Sequence, residues 1–292
     1  MGVGYFDTWA SHATALMCLG VSQPHRWFDL IQRFQVTVFM SSPVFFRQFK
    51  QLHFSLAHDL SSLKCATSAG EKLSISTRES WTNRYRVPIY EALGMTELST
   101  GISFGPAVSY KEGSIGFIQS GRQIKMVSLD DSAVDAVENE IGRLAISRHE
   151  LGFMLGCVNP EDNAKMEFCG DWYLTQDMLS KDSRGYIYYH GQYDSLLNID
   201  AHRTSPVEIE GRCMEIDAVR DVACGAVSDG DRKQLALFVV ADAETDQIAL
   251  QAKIYSHLNR LLVDFKVPKK FFFQSKIPRN SNGKVDRLRL GE

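Results

Sequence analysis

The apolar positions of the chain alternate between a helical rhythm and a two-residue rhythm, and that alternation predicts short helices and strands in turn. Trp27, Leu30, Ile31 and Phe34 recur at helical spacing. The apolar run over 36–40 reads as a buried strand, and Ser42 followed by Pro43 opens a helix reaching Phe49, because proline is accepted at the first helical position. The same reading gives a strand at 63–67, a helix at 74–86 and a strand at 88–92. Strands separated by helices require crossover connections, which implies a largely parallel sheet over the first hundred residues. Loops leaving the carboxyl ends of such strands are where ligands bind.

From about residue 109 to 190 the pattern becomes strand-rich, with glycine-punctuated turns and an acidic loop over 130–140. Segments 122–127 and 140–147 alternate as strands. Trp172, Tyr173 and Leu174 read as a strand running out to Asp177; Asp182, Ser183, Arg184 and Gly185 supply turn chemistry before an aromatic strand over 186–189, which makes a hairpin. After Gly191 and Asp194, the run Ser205, Pro206, Val207, Glu208 has the form of a capping box with proline at the first helical position, and Ile209, Cys213 and Ile216 share the helical face that follows. Strands are expected at 219–227, 235–241 and 270–274. Between the last two, Thr245 or Asp246 caps a helix whose apolar face holds Ile254, Leu258, Leu261 and Phe265.

Composition narrows the function classes. At 292 residues and 44% hydrophobic content the chain can bury one large or two modest cores, and a net charge of -3 supports neither a nucleic-acid footprint nor a polybasic membrane surface. The most apolar N-terminal run, 13–21, is far shorter than a membrane span, and Phe6 stands where a myristoylation signal requires Ser or Thr. Six cysteines, Cys18, Cys65, Cys157, Cys169, Cys213 and Cys224, form no CxxC pair and follow no secretory signal. The expectation is a cytoplasmic protein with reduced, mostly buried thiols.

Several short motifs carry chemistry. Two follow predicted strands: Thr67, Ser68, Ala69, Gly70, Glu71, Lys72, Leu73, and Leu93, Gly94, Met95, Thr96, Glu97. A third is Gly170 to Asp177, reading GDWYLTQD; a fourth joins Gly191, Gln192 and Asp194 to Arg203, Ser205, Pro206, Glu208, Ile209 and Glu210; the last runs Pro278, Arg279 to Gly283, Lys284. Together they resemble the adenylate-forming superfamily of acyl-CoA and aryl-CoA synthetases, peptide-synthetase adenylation domains and luciferases. The Ser-Ala-Gly-Glu form of the first loop is closest to the benzoate-CoA ligase branch. The departures are Gln176 for glycine, Gln192 for arginine, Ala201 for glycine, Leu93 for tyrosine and Cys157 for tyrosine. Another reading of the second motif is an N-cap threonine with a solvated glutamate at a helix start.

The resemblance implies a partial adenylate-forming α/β fold. It has an α/β subdomain (1–108), a small β-barrel-like subdomain (109–193) and a small mobile α+β lid domain (194–292) with Asp194 at the hinge. It also implies activation of a carboxylic acid by ATP to an acyl-AMP, then thioester formation with coenzyme A or a carrier-protein pantetheine. The acid would be small and compact or aromatic. Ser68, Ala69, Gly70 and Met95 then line the acyl pocket, and Gly70, Glu71, Leu93, Gly94, Thr96, Asp177, Gln192 and Lys284 bind the nucleotide. Thr96 can donate to the α-phosphate, Glu97 is a hard oxygen ligand for Mg²⁺, and the Asp177 carboxylate can accept from both ribose hydroxyls. Lys284 can neutralise charge that develops between carboxylate and α-phosphate, completing a catalytic set with Thr96 and Glu97. The Ser/Thr/Gly-rich loop that cradles the outer phosphates in this superfamily is not found in the sequence. The expectation is therefore an incomplete chain needing an upstream segment or a protein partner, or alternatively a catalytically decayed module that binds a ligand or partner on the same fold.

Overall fold

The structure, a computed structural model, describes residues 7–17, 24–50, 58–105, 109–199, 202–229, 232–280 and 284–291. The chain divides into two compact units, Met1–Tyr189 and His190–Glu292. Cys18, Ala201, Gly283 and part of the apolar run 13–21 lie outside the described residues. No described helix is long and apolar enough to cross a membrane.

The first unit contains helices α1 (Asp7–Ala10), α2 (Pro24–Phe34), α3 (Pro43–Lys50), α4 (Ile75–Tyr85) and α5 (Pro160–Ala164). Its strands are β1 (Val38–Ser41), β2 (Cys65–Ala69), β3 (Ile89–Met95), β4 (Ser99–Ser103), β5 (Ser114–Ile118), β6 (Ile124–Ser128), β7 (Gly142–Ser147), β8 (Phe168–Cys169), β9 (Trp172–Lys181) and β10 (Ile187–Gln192), the last of which runs on from Tyr189 into the second unit. They form one ten-stranded sheet in the order β1-β2-β3-β4-β5-β10-β9-β7-β6, with β8 beside β9. The pairs β1/β2 and β2/β3 are parallel, as strand–helix–strand spacing requires, and β3/β4, β4/β5, β5/β10, β6/β7, β7/β9 and β8/β9 are antiparallel.

An aromatic core sits under the parallel strands. Phe28 of α2, Phe39 of β1, Phe46 and Phe49 of α3 and Trp81 of α4 are buried, and edge-to-face contacts such as Phe28–Phe49 at 4.3 Å and Phe46–Trp81 at 5.1 Å hold them. The buried stripe of α2 is Phe28 and Ile31, while Phe34 is 51% exposed. It lies one residue away from the predicted face because the other helices, not α2's own period, decide which side is covered. Helix α4 is well capped: the Ser74 hydroxyl accepts from Thr77 N, and Arg86, in the left-handed region at φ 59°, donates its N–H back to Thr82 O.

In the second unit β11 (Leu197–Ile199) and β12 (His202–Thr204) make a short antiparallel ribbon. Helix α6 (Pro206–Cys213) and helix α7 (Gln247–Leu261) accompany a three-stranded sheet of β13 (Val219–Asp229), β14 (Arg232–Ala241) and β15 (Lys270–Phe273), in which β13/β14 is antiparallel and β14/β15 parallel. Two-residue alternation along β14 separates its faces. Leu235, Leu237 and Val239 meet Ile209 and Cys213 of α6 and Leu250, Ile254 and Leu258 of α7, whereas Ala236 and Phe238 meet Ile277, Val285 and Leu290 on the other side. Each fully buried aliphatic chain of this size is worth about 1.5–3 kcal/mol relative to exposure.

Two sequence expectations are corrected here. The capping box at α6 does not form. Ser205 occupies the N-cap position, but its hydroxyl donates to His190 O at 2.5 Å, and Glu208 instead accepts from Lys266 Nζ at 2.7 Å; tertiary partners outcompete the local pair. On α7 the cap is Asp246, accepting from Ile248 N and Ala249 N, and Leu261 and Phe265 of the predicted apolar face are each 41% exposed. The helix ends at Leu261, so the 3.6-residue period no longer governs beyond it; Phe265 stacks instead on His202 with ring centroids 4.2 Å apart.

Candidate active site

The first two motif-bearing segments are neighbours in the sheet. β2 and β3 run parallel with Ser68 opposite Glu91 and Ala69 opposite Ala92, so Gly70 follows the end of β2 at the level where β3 reaches Leu93. Both segments are more strand-like than expected: Ser68 and Ala69 close β2, and β3 continues through Leu93, Gly94 and Met95. Strand β2 turns at Gly70, whose φ of +103° lies where a side chain is strained. Ser68 is buried; Ala69, Glu71, Leu93 and Met95 are half-buried; Gly70, Gly94 and Thr96 are exposed.

Thr96, Glu97 and Leu98 form the tight turn between β3 and β4, with no helix after them, so the helix N-cap reading of Thr96 is not realised. Gly94 is required by this hairpin, because a Cβ there would lie 2.8 Å from Ser99 O. The turn is held from two sides. Met154 N donates to Glu97 O at 2.9 Å, and the Tyr173 hydroxyl donates to Glu97 Oε1 at 3.4 Å. Burial first, and then the Glu97 charge, push the Tyr173 phenol up to about 12.

Behind the first loop lies a buried ion pair that the sequence pattern does not single out. Glu91, 6% exposed, accepts from Leu73 N at 3.0 Å and from Arg78, whose guanidinium also donates to Ile89 O and lies 4.3 Å from the centroid of the Tyr110 ring. Burial pushes the Glu91 carboxyl up, and Arg78 opposes that shift. Glu91 thereby ties the end of the loop that begins at Ser68 to the strand carrying Leu93. Its carboxylate on an otherwise apolar strand was the available signal, since such a group requires a partner.

Asp177 lies inside β9, not at its end as expected. In the β7/β9 ladder Arg143 pairs with Met178 and Ala145 with Leu174, so Thr175, Gln176 and Asp177 together oppose Leu144 alone. Asp177 therefore sits on a bulge, half-buried, with its amide donating to Thr175 Oγ1 at 3.1 Å and its Oδ1 accepting from the Tyr189 hydroxyl at 3.3 Å. Tyr173, which reaches Glu97, is on the same strand. β9 thus brings Asp177 into one framework with the Thr96–Glu97 turn.

The remaining candidates belong to the second unit. Gln192 ends β10, half-buried, its carbonyl accepting from Ser195 Oγ at 2.9 Å, and Asp194 is exposed in the short turn that follows. Lys284 is exposed. Its amide donates to Asn280 Oδ1 at 3.1 Å and its carbonyl accepts from Asn280 N at 2.9 Å. Both flanks are anchored, by Arg279 paired through Nη2 with both Asp221 oxygens at 2.9 Å and by Arg287 paired with Glu210 at 2.6 Å.

No group of three or more His, Cys, Asp or Glu side chains that could hold a metal occurs among the described residues. Glu97, half-buried in its turn, offers the hard carboxylate oxygen that Mg²⁺ takes while keeping waters and substrate phosphates.

A ten-stranded sheet with parallel loops at one end and a bulged aspartate in the same framework, followed by a separate α+β unit carrying an anchored lysine loop, defines a class, and the comparisons identify it. The model of the AMP-binding enzyme family matches residues 6–156, and that of the AMP-binding enzyme C-terminal domain matches 208–284; the chain belongs to the AMP-binding enzyme family. It is 29% identical over 283 residues to a 3-hydroxybenzoate–CoA ligase of Aromatoleum sp. (strain CIB), covering 96% of this chain and 53% of that protein. It is 28% identical over 270 residues to the Homo sapiens mitochondrial acyl-coenzyme A synthetase ACSM5, covering 90% and 46%. The structure of the anthranilate CoA ligase AuaEII in complex with anthranoyl-AMP superposes with a TM-score of 0.85 at 26% identity, covering 95% of this chain and 54% of that one. A benzoate CoA ligase from Burkholderia xenovorans LB400 shares the fold, with a TM-score of 0.84 at 24% identity over 98% and 57% of the two chains. The chain spans about half the length of the curated relatives it matches.

Proposed function

We propose that this chain carries the acid, adenine and ribose sites and the lid of an ATP-dependent carboxylic acid:CoA ligase. The observation that supports this best is the joint framework of Glu97, Tyr173 and Asp177, with the Ser68–Gly70 segment on the adjacent strand. In this reading Asp177 accepts from the ribose hydroxyls, Thr96 donates to the α-phosphate, and Leu93 and Gly94 lie against adenine beside Gly70 and Glu71. Ser68, Ala69, Gly70 and Met95 border the acid. Bound at Glu97, Mg²⁺ would supply charge neutralisation at the phosphates. The Lys284 ammonium offsets the charge of the acid carboxylate and the α-phosphate; the carboxylate oxygen displaces pyrophosphate, and a pantetheine thiol of coenzyme A or a carrier protein then displaces AMP. The named aryl-CoA ligase relatives support an aromatic acid.

A cradle for the outer phosphates is to come from a further segment or a partner chain. Losing even two charge-assisted hydrogen bonds to pyrophosphate, each worth about 1.5–3 kcal/mol, slows its departure by a factor of about 10² or more. A second reading, a ligand-binding module without catalysis, is favoured by Gln192 and by Gln176, whose Oε1 is buried without a hydrogen-bond partner.

ATP–pyrophosphate exchange with a panel of aromatic and short aliphatic acids, alongside calorimetry with AMP, separates these readings. The expected result is AMP binding without exchange by the 292-residue chain, and exchange once a polypeptide bearing the phosphate loop is added. AMP binding with no exchange under either condition would favour the module, and no AMP binding would overturn both nucleotide assignments.

A further inference from the structure

The bulge that carries Asp177 has a dedicated support. A strand carrying two extra residues against its neighbour loses ladder pairing locally, and such a distortion persists only where its backbone groups find other partners. Arg143, on the facing strand β7 and 6% exposed, provides them: its Nε donates to Thr175 O at 3.1 Å and its Nη2 to Leu174 O at 3.4 Å. The outer edge of the same guanidinium is fixed by Glu167, with Nη1 to Oε1 at 3.0 Å and Nη2 to Oε2 at 2.8 Å. Glu167 is tied in turn to β9, since its carbonyl accepts from Leu174 N at 2.9 Å.

We propose that Arg143, oriented by Glu167, is a positioning residue that holds the Thr175–Asp177 bulge so that the Asp177 carboxylate meets the nucleotide ribose. This rests on the ribose-binding reading of Asp177 given above. The planar guanidinium serves two carbonyls on one edge and a carboxylate on the other, a division that a lysine ammonium cannot reproduce in the same plane. Arg143 sits beside Thr175, whose hydroxyl holds the Asp177 amide, while Tyr189 holds the carboxylate. The backbone position is therefore set from β7 and the side-chain direction from β10.

The test measures AMP and 2′,3′-dideoxy-AMP binding by calorimetry for the unchanged chain, Arg143→Met, Arg143→Lys and Glu167→Gln, with amide hydrogen exchange over 174–178. The unchanged chain is expected to prefer AMP by about 10²-fold, the effect of two hydrogen bonds to a carboxylate. In Arg143→Met the preference should fall below about threefold while dideoxy-AMP binding is unchanged, and exchange over 174–178 should accelerate; Arg143→Lys should restore only part of the preference. Should Arg143→Met fail to fold, Glu167→Gln carries the test, because Glu167 is half-exposed and the strand pair survives its loss; a several-fold drop in preference is expected. A full AMP preference in Arg143→Met, or in a folded Glu167→Gln when Arg143→Met does not fold, would overturn the proposal, as would unchanged exchange over 174–178. If the unchanged chain shows no preference between the two nucleotides, the ribose reading of Asp177 falls and the proposal falls with it.

Discussion

Asp177 and Lys284, the charged residues proposed to meet the ribose and the α-phosphate, are held in opposite ways. Asp177 is half-buried in a strand, its amide bonded to Thr175 and its carboxylate to Tyr189, with Arg143 behind it. Lys284 is exposed; among the described residues its ties run through its backbone, to Asn280, and the ion pairs that secure its loop belong to the flanking Arg279 and Arg287. A carboxylate that must accept two hydroxyls at once benefits from a fixed direction, since hydrogen bonds weaken steeply with misalignment. An ammonium acting as a point charge needs an anchored loop and little else.

The largest effect that would break this contrast comes from Lys284→Ala. In a preparation that exchanges pyrophosphate, the substitution should slow adenylation by about 10² to 10³, the usual loss for one preorganised charge stabiliser, and leave thioester formation from preformed acyl-AMP and the melting temperature nearly unchanged. Equal losses in both half-reactions would count against the adenylation role, and a drop in melting temperature would show that the ammonium has a structural partner like that of Asp177.

A smaller effect sharpens the same contrast at Gln192, the other nucleotide candidate of the second unit. A guanidinium there offers charge-assisted bonds that the amide lacks, so Gln192→Arg should tighten AMP by about 1 to 2 kcal/mol in calorimetry. Unchanged affinity would place this side chain away from the nucleotide.

The smallest effect concerns the hairpin that carries Asp177. At its turn Asp182 accepts from Lys111 Nζ, from the amides of Arg184 and Tyr186 and from the Tyr188 hydroxyl. The Lys111 ammonium first of all, with these other donors, lowers its carboxyl from 3.8 to about 2. A folded-state value below the unfolded one means the stabilisation is present above pH of about 4 and is lost as pH falls towards about 2. Denaturant midpoints should decline over that window, and Asp182→Asn should flatten the decline. An equal decline in the variant would assign it to other carboxylates.

Much of the element order was legible because it follows from periods. The helical spacing before Val38, the helix starting at about Ser74 and the strand over 235–241 are local properties of the chain, and local propensity and tertiary packing agree there. The family motifs were legible for a related reason: Gly94 is the residue that the hairpin's close approach permits, and Gly70 the one that the positive φ permits. Partner choice was not legible. Ser205 and Glu208 have the sequence of a capping box, yet each found a better partner far along the chain, in His190 O and Lys266. Glu91 and Arg143 are single charges in apolar strands, and sequence shows only that each requires a counterpart.

Taken alone, the sequence determined that parallel strands would carry the two motif loops on one edge and that a separate α+β unit would carry Lys284, because periodicity and turn residues act over a few neighbouring positions. Only the tertiary structure decided that Asp177 sits on a bulge opposite Arg143, that Tyr173 reaches Glu97, and that the Lys284 loop is secured through Arg279 and Arg287. Ladder register and side-chain partners depend on residues tens of positions apart, where hydrogen-bond geometry and burial select among pairings that local sequence leaves open.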